Sequence, residues 1–178
     1  MSEHAREFID YLQAIKDRDR GALAILRHSL AFEPGAYPPA FPYVERFAGA
    51  AAHERDARRL ALYAVGGLFA RHSMQDAQSL AASLGALMRR RESPSVEKRF
   101  IALLGADAEN IFDYLSQAIS LLAADNIGCD YARLLDDLTR WMNPAADPDE
   151  RDRLRQRWAR DFYRAAEAET KLETDNAE

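Results

Sequence analysis

Apolar residues recur at every third or fourth position along most of this chain. Phe8, Leu12 and Ile15 near the N-terminus are spaced by four and then three residues, and Leu154 and Trp158 near the C-terminus are four apart. That spacing lines one face of an α-helix, whereas a half-buried β-strand needs strict alternation of apolar and polar residues. No convincing alternating segment and no repeat of fixed period occurs. The sequence therefore predicts an all-α protein of about seven to nine helices.

Capping signals indicate where several of these helices begin. In Ser93–Pro94 and Asp147–Pro148, a capping side chain stands directly before a proline at the first helical position. Asp107 and Asp130 are predicted to cap two further helices. We therefore expect four helices after residue 93, and the last of them is the longest.

Residues 32–43 (FEPGAYPPAFPY) contain four prolines in twelve positions. Proline restricts the backbone and lacks an N–H group, so we expect an ordered loop here, with aromatic side chains to bury. The alternative is a proline-rich ligand for another protein, although no clean PxxP repeat is present.

Gly66 and Gly67 lie inside a helix predicted over residues 53–71. Each glycine costs a helix roughly 1 kcal/mol relative to alanine. Because no GxxxxGK phosphate-binding pattern surrounds them, we interpret the pair as a place of close helix packing.

The length of 178 residues corresponds to one domain, or to two small subdomains that share a core. Hydrophobic residues make up 48% of the chain, which is enough to bury a core. We predict an N-terminal helical subdomain over residues 1–92, a C-terminal helical subdomain over residues 93–168 and a polar tail over residues 169–178.

Several features favour a soluble cytoplasmic protein without a membrane partner. No stretch approaches the roughly 20 apolar residues of a membrane span. The N-terminal segment is amphipathic and carries acidic residues, unlike a secretory signal. The single cysteine, Cys129, cannot form an intramolecular disulfide.

The residue patterns of enzymes are missing from the sequence. The four histidines are scattered, and neither a GxSxG nor an HExxH motif occurs, so we predict no catalytic residue, no metal site and no cofactor. Asp136 and Asp137 are neighbours on a helix and point about 100° apart, which suits solvent or a cap better than a shared metal. A carboxylate nuclease site without a recognisable motif is the alternative.

The segment Ser83–Leu104 has a positive net charge, whereas the chain as a whole is negative. The whole chain has a formal net charge of -5, yet this segment holds five cations and only two acids. The cations are Arg89, Arg90, Arg91, Lys98 and Arg99. A basic patch on an acidic protein indicates an anionic partner, most commonly nucleic-acid phosphate. The alternative is that the three arginines complement a helix C-terminus and that the rest is solvated surface.

Arginines also follow one face of the last helix, spaced by four, three and four residues: Arg153, Arg157, Arg160 and Arg164. They form either a nucleic-acid surface or a solvated face balanced by i,i+4 pairs with Asp149, Asp152 and Asp161. The nucleic-acid-binding candidates taken from outside the basic segment are Arg27, Arg157 and Arg160.

Four aromatic residues near the C-terminus lie on apolar helix faces: Trp141, Trp158, Phe162 and Tyr163. Side chains of this kind pack in a core more often than they stack on bases. We therefore predict that all four are core residues.

Four blocks of the sequence resemble the CasB family. One block consists of Ser83, Leu84, Gly85, Ser95, Glu97, Arg99, Phe100, Leu103 and Leu104. Another consists of Asp130, Tyr131, Leu134, Leu135, Asp137, Leu138 and Trp141, and two more are Trp158–Tyr163 and Leu23–Arg27. The blocks cover most of the chain from about residue 20 to residue 165, in the order found in the family.

That resemblance implies a non-catalytic small subunit of Cascade, the type I-E CRISPR surveillance complex, which acts in antiviral defence. The implied partners are the guide CRISPR RNA, the target and displaced DNA strands, other Cascade subunits and a second copy of the chain. Contacts with the nucleic-acid backbones would stabilise the R-loop. The alternative is a purely structural helical adaptor that contacts only protein, which the net charge of -5 favours.

Overall fold

Helices form the regular structure throughout the residues that the computed structural model describes, which are 1–49, 53 and 55–168. The α-helices in these ranges are α1 Glu3–Arg18, α2 Arg20–His28, α3 Phe41–Ala48, α4 Ala57–Arg71, α5 Leu80–Arg91, α6 Pro94–Leu104, α7 Ile111–Ala124, α8 Tyr131–Trp141 and α9 Pro148–Glu167. Short 3-10 helices at Ser29–Ala31 and Pro38–Ala40 connect α2 to α3. The prediction of an all-α fold is confirmed, since the described residues contain no β-strand beyond an isolated bridge. None of these helices is long and apolar enough to cross a membrane.

The central helix is α4, which contacts α1, α2, α3, α7 and α8. It begins at Ala57 and not at residue 53, and residues 61–70 are all buried. A helix that is surrounded on all sides needs no polar face. A Cβ on Gly67 would lie 2.6 Å from Leu30 Cδ2, so close packing is confirmed there. Gly66 differs, because the nearest atom to its Cβ would be 3.5 Å away, an ordinary contact.

The most extensive helix contact joins α5 to α9. Gly85 of α5 lies directly against the α9 backbone, where a Cβ would approach the carbonyl oxygen of Phe162 more closely than the 3.0 Å limit of real structures. The Phe162 ring in turn stacks on Phe100 of α6, with 4.1 Å between the ring centroids. Glycine at this one position therefore allows α5, α6 and α9 to share a core.

Helices from both sides of residue 92 contribute to one apolar core. α4 packs on α8, and α5 packs on α9. The division into subdomains 1–92 and 93–168 stays a prediction, which limited proteolysis between α5 and α6 would test. The predicted polar tail lies outside the described residues.

The capping predictions for α8 and α9 are confirmed. Asp130 and Asp147 each accept a hydrogen bond of 3.0 Å from a backbone N–H in the first turn of the helix they precede. The prediction for Asp107 is wrong, because its side chain accepts hydrogen bonds from the N–H groups of Glu109 and Asn110, which both precede α7. Asp107 therefore closes the turn before the helix.

The predicted loop 32–43 is wrong at its end, since Phe41–Ala48 form α3. Pro42 stands in the first turn of this helix, where an N–H has no helical partner and its absence costs nothing. Val44 and Ala48 are buried, and α3 packs on α4. Here proline starts a helix, whereas the composition alone favours a loop.

Candidate nucleic-acid interface

Arg89 ties the last turn of α5 to the end of α9. Its Nη1 donates hydrogen bonds to the carbonyl oxygens of Ala165, at 2.5 Å, and Ala168, at 3.0 Å. Both carbonyls belong to the C-terminal end of α9, where backbone acceptors lack helical partners and the helix dipole is negative. Arg89 therefore stabilises the α5–α9 pair.

Arg90 and Arg91 make the same kind of contact with α7. Arg90 Nη1 donates to the carbonyl oxygen of Asp125 at 3.1 Å, and Arg91 forms an ion pair with the Asp125 carboxylate. Asp125 is the C-terminal cap of α7. Within this chain the arginines thus complement helix C-termini, which is the alternative to a nucleic-acid role. Because all three side chains stay exposed, their contact with nucleic acid remains a prediction.

Lys98 and Arg99 lie on the outer face of α6. Both residues are exposed, while Val96 and Phe100 on the inner face are buried. Neither cation forms a hydrogen bond or an ion pair with another residue in the described part of the chain. Their charges are therefore available to an external anion.

Arg27 lies at the end of α2 and contacts the end of α4. Its Nε donates to the carbonyl oxygen of Ala70 at 3.0 Å, so part of the guanidinium is used to join the two helices. The residue is otherwise exposed. A nucleic-acid contact through the rest of the guanidinium remains a prediction.

A basic groove of about 340 Å³ lies between α8 and α9. We call it the α8–α9 groove; its lining includes four arginines and a single acid, namely Arg140, Arg153, Arg157, Arg160 and Glu150. Arg140 and Glu150 are 4.0 Å apart, and both side chains are about half exposed. The remaining arginines give the groove an excess of positive charge that suits an anionic ligand.

Arg157 is held at the base of this groove by the carboxylate of Asp137. Asp137 is only 4% exposed, and its Oδ2 accepts a hydrogen bond of 2.7 Å from Nε1 of Trp158. Its Oδ1 accepts a second hydrogen bond from Arg157. A buried carboxylate requires such partners, and this one connects α8 to two neighbouring residues of α9. Arg157 therefore has a structural contact as well as an exposed edge.

The alternative of a stripe balanced by i,i+4 pairs is wrong for all three acids, because within the described residues no ion pair joins Asp149, Asp152 or Asp161 to a stripe arginine. Asp161 pairs with Arg133 of α8 at 2.9 Å, and Asp152 pairs with Arg155 at 3.4 Å. Neither acid neutralises the predicted stripe. In the described residues, Arg153, Arg160 and Arg164 have no ion pair, so three of the four stripe arginines keep their charge, whereas Arg157 is paired with Asp137.

Asp136 and Asp137 point to different partners, as predicted. Asp136 accepts hydrogen bonds of 2.6 Å from both the backbone N–H and the hydroxyl of Ser2, which fixes the start of α1 on α8. Asp137 faces α9 instead. No group of three or more His, Cys, Asp or Glu side chains suited to a metal occurs within the described ranges.

Three of the four aromatic predictions are confirmed. Trp141, Trp158 and Phe162 are each no more than 2% exposed. Tyr163 is 39% exposed, so its prediction as a core residue is wrong. Its hydroxyl donates to Glu97 Oε1 at 2.9 Å, and this hydrogen bond raises the pKa of Tyr163.

Arg140 is a site residue that the sequence analysis does not identify. It lies on α8, ten or more positions before the arginines of α9, and the stripe on α9 contains no signal for it. The only sequence signal for Arg140 is that it is a basic residue on the exposed face of the helix that precedes the stripe. The packing of α8 on α9 places Arg140 in the lining of the same groove as Arg153.

Several residues that carry the family resemblance maintain helix contacts. The hydroxyl of Ser83 is buried and donates to the Gly128 carbonyl oxygen at 2.7 Å. Gly85 lets α5 approach α9, and Asp137 binds Trp158. These positions explain why the resemblance extends over residues that face the core.

Comparison with known proteins identifies the family. A family model described as CRISPR-associated protein Cse2 matches residues 22–163. The CRISPR-associated protein Cse2 of Thermus thermophilus is 42% identical over 166 residues, which is 91% of this chain and 91% of that protein.

Solved structures agree with this match. The crystal structure of CasB from Thermus thermophilus has a TM-score of 0.75 at 42% identity, covering 92% of this chain and 99% of that chain. A chain of a structure named CRISPR RNA-guided surveillance complex has a TM-score of 0.76 at 20% identity, covering 93% and 94%, and so shares the fold. With a family model over most of its length and a relative at 42% identity, this chain belongs to the CRISPR-associated Cse2 family, the CasB family of the sequence resemblance.

Proposed function

We propose that this chain is the non-catalytic small subunit of an RNA-guided CRISPR surveillance complex, Cascade. Its membership of the Cse2 family supports this role, as does the fold it shares with a chain of an RNA-guided surveillance complex. The observation that carries the mechanism is the α8–α9 groove, in which Arg153 and Arg160 have no ion pair among the described residues and lie with Arg140 and Arg157.

The groove would act on the sugar–phosphate backbones of the R-loop. Replacing a DNA duplex with an RNA–DNA heteroduplex is nearly balanced in free energy, so protein contacts with the backbones decide how far it proceeds. Each phosphate that an arginine neutralises releases counterions, which makes the binding salt-dependent. Because the guide RNA reads the sequence, the protein needs cations at the right places and no base-reading motif.

The candidate residues differ in how much of their charge is available. Arg153 and Arg160 in the groove, and Lys98 and Arg99 on α6, have no ion pair among the described residues, so we assign them the main contacts. Arg157 already binds Asp137 and would contribute through its exposed edge. The candidates that also hold helix ends, Arg27, Arg89, Arg90 and Arg91, would contribute less.

The proposal also covers the binding partners of the subunit and its location in the cell. Its partners are the guide CRISPR RNA, the target and displaced DNA strands, other Cascade subunits and a second copy of the chain, and it acts in the cytoplasm. Contacts shared among subunits compensate for the net charge of -5, which disfavours nucleic-acid binding by the isolated protein.

The test is charge reversal in the reconstituted complex. Arg153→Glu combined with Arg160→Glu removes two exposed cations that make no ion pair within the described residues. Opening of the target duplex would be measured at two or more salt concentrations. Because each lost phosphate contact lowers the salt slope by about one, we expect weaker opening and a slope lower by about two. Lys98→Glu with Arg99→Glu tests the α6 surface in the same way.

The matched control changes the same amount of charge elsewhere. Arg6→Glu with Arg18→Glu alters two exposed arginines of α1, and this pair should leave the salt slope unchanged. Circular dichroism and thermal melting would show that every variant is folded. If the groove variant and the α6 variant both open the duplex with unchanged affinity and unchanged salt slope, the backbone-binding proposal is refuted.

A helical adaptor that contacts only protein is the second candidate, and the acidic net charge favours it. As an adaptor, the subunit would assemble into the complex without making any salt-dependent contact with nucleic acid. Normal assembly together with a salt slope that does not respond to any of these reversals would support the adaptor.

A further inference from the structure

A second groove lies between the 3-10 helix Ser29–Ala31, α4 and α7, and its lining is apolar and acidic instead of basic. Its volume is about 290 Å³, and apolar side chains such as Leu30, Phe32 and Phe112 line it. Cavities of this size are at the small end of ligand sites, with room for one or two side chains and not for a large cofactor. We call it the acidic groove because the charged residues that line it are all acidic.

Phe32 is exposed in this groove, yet it is held in place. Phe32 is 45% exposed, which makes it one of the few large apolar residues that are exposed in the described part of the chain. Its ring stacks on Tyr37 with 4.8 Å between centroids, and His28 packs edge-on against both rings. An ordered apolar ring in a concave surface is a feature of binding sites, since covering it removes apolar area from water.

The charge around the groove identifies the kind of partner. Three exposed carboxylates line it, from Glu33, Glu109 and Asp113, and no cation is part of the lining. Arg71 reaches one edge, where it donates to Ser116. Three acids repel phosphate, so a nucleic acid is disfavoured here, whereas a lysine or arginine beside an apolar side chain is complementary.

We propose that the acidic groove docks a short segment of another protein chain in which an apolar anchor residue is flanked by basic residues. The anchor enters beside Phe32 and Phe112, and the flanking cations meet Glu33, Glu109 and Asp113. Such anchors in a pocket, surrounded by complementary charge, carry most of the free energy of small protein interfaces. This proposal does not depend on the nucleic-acid proposal, because none of its residues lies in the α8–α9 groove.

A pair of synthetic peptides tests the proposal with the full chain. One fluorescent peptide carries phenylalanine and leucine flanked by lysines, and its partner peptide carries glutamates in place of the lysines. Fluorescence anisotropy should show the lysine peptide binding at least about tenfold more tightly. Glu109→Lys with Asp113→Lys should reverse that preference, and Phe32→Ala should weaken binding of both peptides. Glu3→Lys with Glu7→Lys on α1 is the matched control and should change nothing.

The reversed preference requires a folded protein, so loss of folding cannot imitate the expected result. Equal binding of the two peptides, or binding of the lysine peptide that survives both groove variants, overturns the proposal. Displacement of the peptide by single-stranded RNA, lost in the groove variants, would assign the groove to nucleic acid and also overturn it. Concentration-dependent self-association lost in those variants would assign it to a second copy instead.

Discussion

Replacing Gly85 with alanine should destabilise the protein even though alanine is the better helix former. The added Cβ would come closer than 3.0 Å to the Phe162 carbonyl oxygen and within 3.1 Å of Ala165 Cβ. A backbone carbonyl cannot rotate away, so α5 and α9 must move apart along their most extensive contact. Overpacking of this kind costs roughly 1–3 kcal/mol or more, while the gain in helix propensity is about 1 kcal/mol.

Because the obstructing atom belongs to the backbone, the upper part of that range, about 2–3 kcal/mol, applies. After the gain of about 1 kcal/mol in helix propensity, the expected net loss of unfolding free energy is about 1–2 kcal/mol. In a chain of this size each kcal/mol lowers Tm by roughly 2–4 °C, so Gly85→Ala should melt roughly 2–8 °C below the wild type. Thermal and urea unfolding followed by circular dichroism would measure the difference.

Gly66→Ala is the matched control, because its Cβ would meet only side-chain atoms at 3.5 Å or more. The same substitution there should be neutral or stabilising by up to about 1 kcal/mol. Gly67→Ala should fall between the two, since the nearest atom is the flexible end of Leu30 at 2.6 Å. A Gly85→Ala protein as stable as the wild type, or a Gly66→Ala protein that loses equally much, would refute this account of the α5–α9 contact.

Three further predictions concern stability and reactivity. Phe100→Ala should cost about 3–5 kcal/mol in chemical unfolding, because the 1% exposed ring stacks on Phe162. The hydrogen bond from Arg59 lowers the pKa of Glu45 from its ordinary value of 4.5. The ionised carboxylate therefore contributes to the free energy of unfolding above about pH 4.5, and this contribution is lost as the pH falls through the folded-state pKa. The stability advantage over Glu45→Gln, measured by urea unfolding from pH 7 to pH 3, should thus shrink below about pH 4.5; a constant difference would contradict this. Burial raises the pKa of the Cys129 thiol, so thiol reagents should label it only after unfolding, and rapid labelling of the native protein would contradict that burial.

The sequence predicts the helices well because most of their determinants are local. The residues that cap α8 and α9 act on N–H groups in the first turn of the same helix, at distances set by the backbone. Where the sequence fails to predict a helix, the local signals allow two structures. Pro42 fits a loop and a first helical turn equally well, and the burial of Val44 against the fold decides between them.

The candidate site is less predictable, because charge pairs form between helices. Spacing along α9 pairs its acids with its own arginines, yet Asp161 binds Arg133 of α8 and leaves the stripe charged. For Arg89, Arg90 and Arg91 the sequence leaves open whether they bind an external anion or a helix C-terminus. The structure shows that Arg89 binds the end of α9 and that Arg91 binds Asp125 of α7. Each of these partners is more than 25 residues away in the chain.

By itself the sequence determined the all-α class, the inward face of most helices and the family, since these depend on residues three or four apart or on the order of matched blocks. Only the tertiary structure decided which arginines share a surface, because the packing of α8 on α9 makes Arg140 line the same groove as Arg153. It also decided that Gly85 is a contact point between helices and that Phe32 lies among acids. Helix packing brings together side chains whose separation along the chain contains no information about their distance in space.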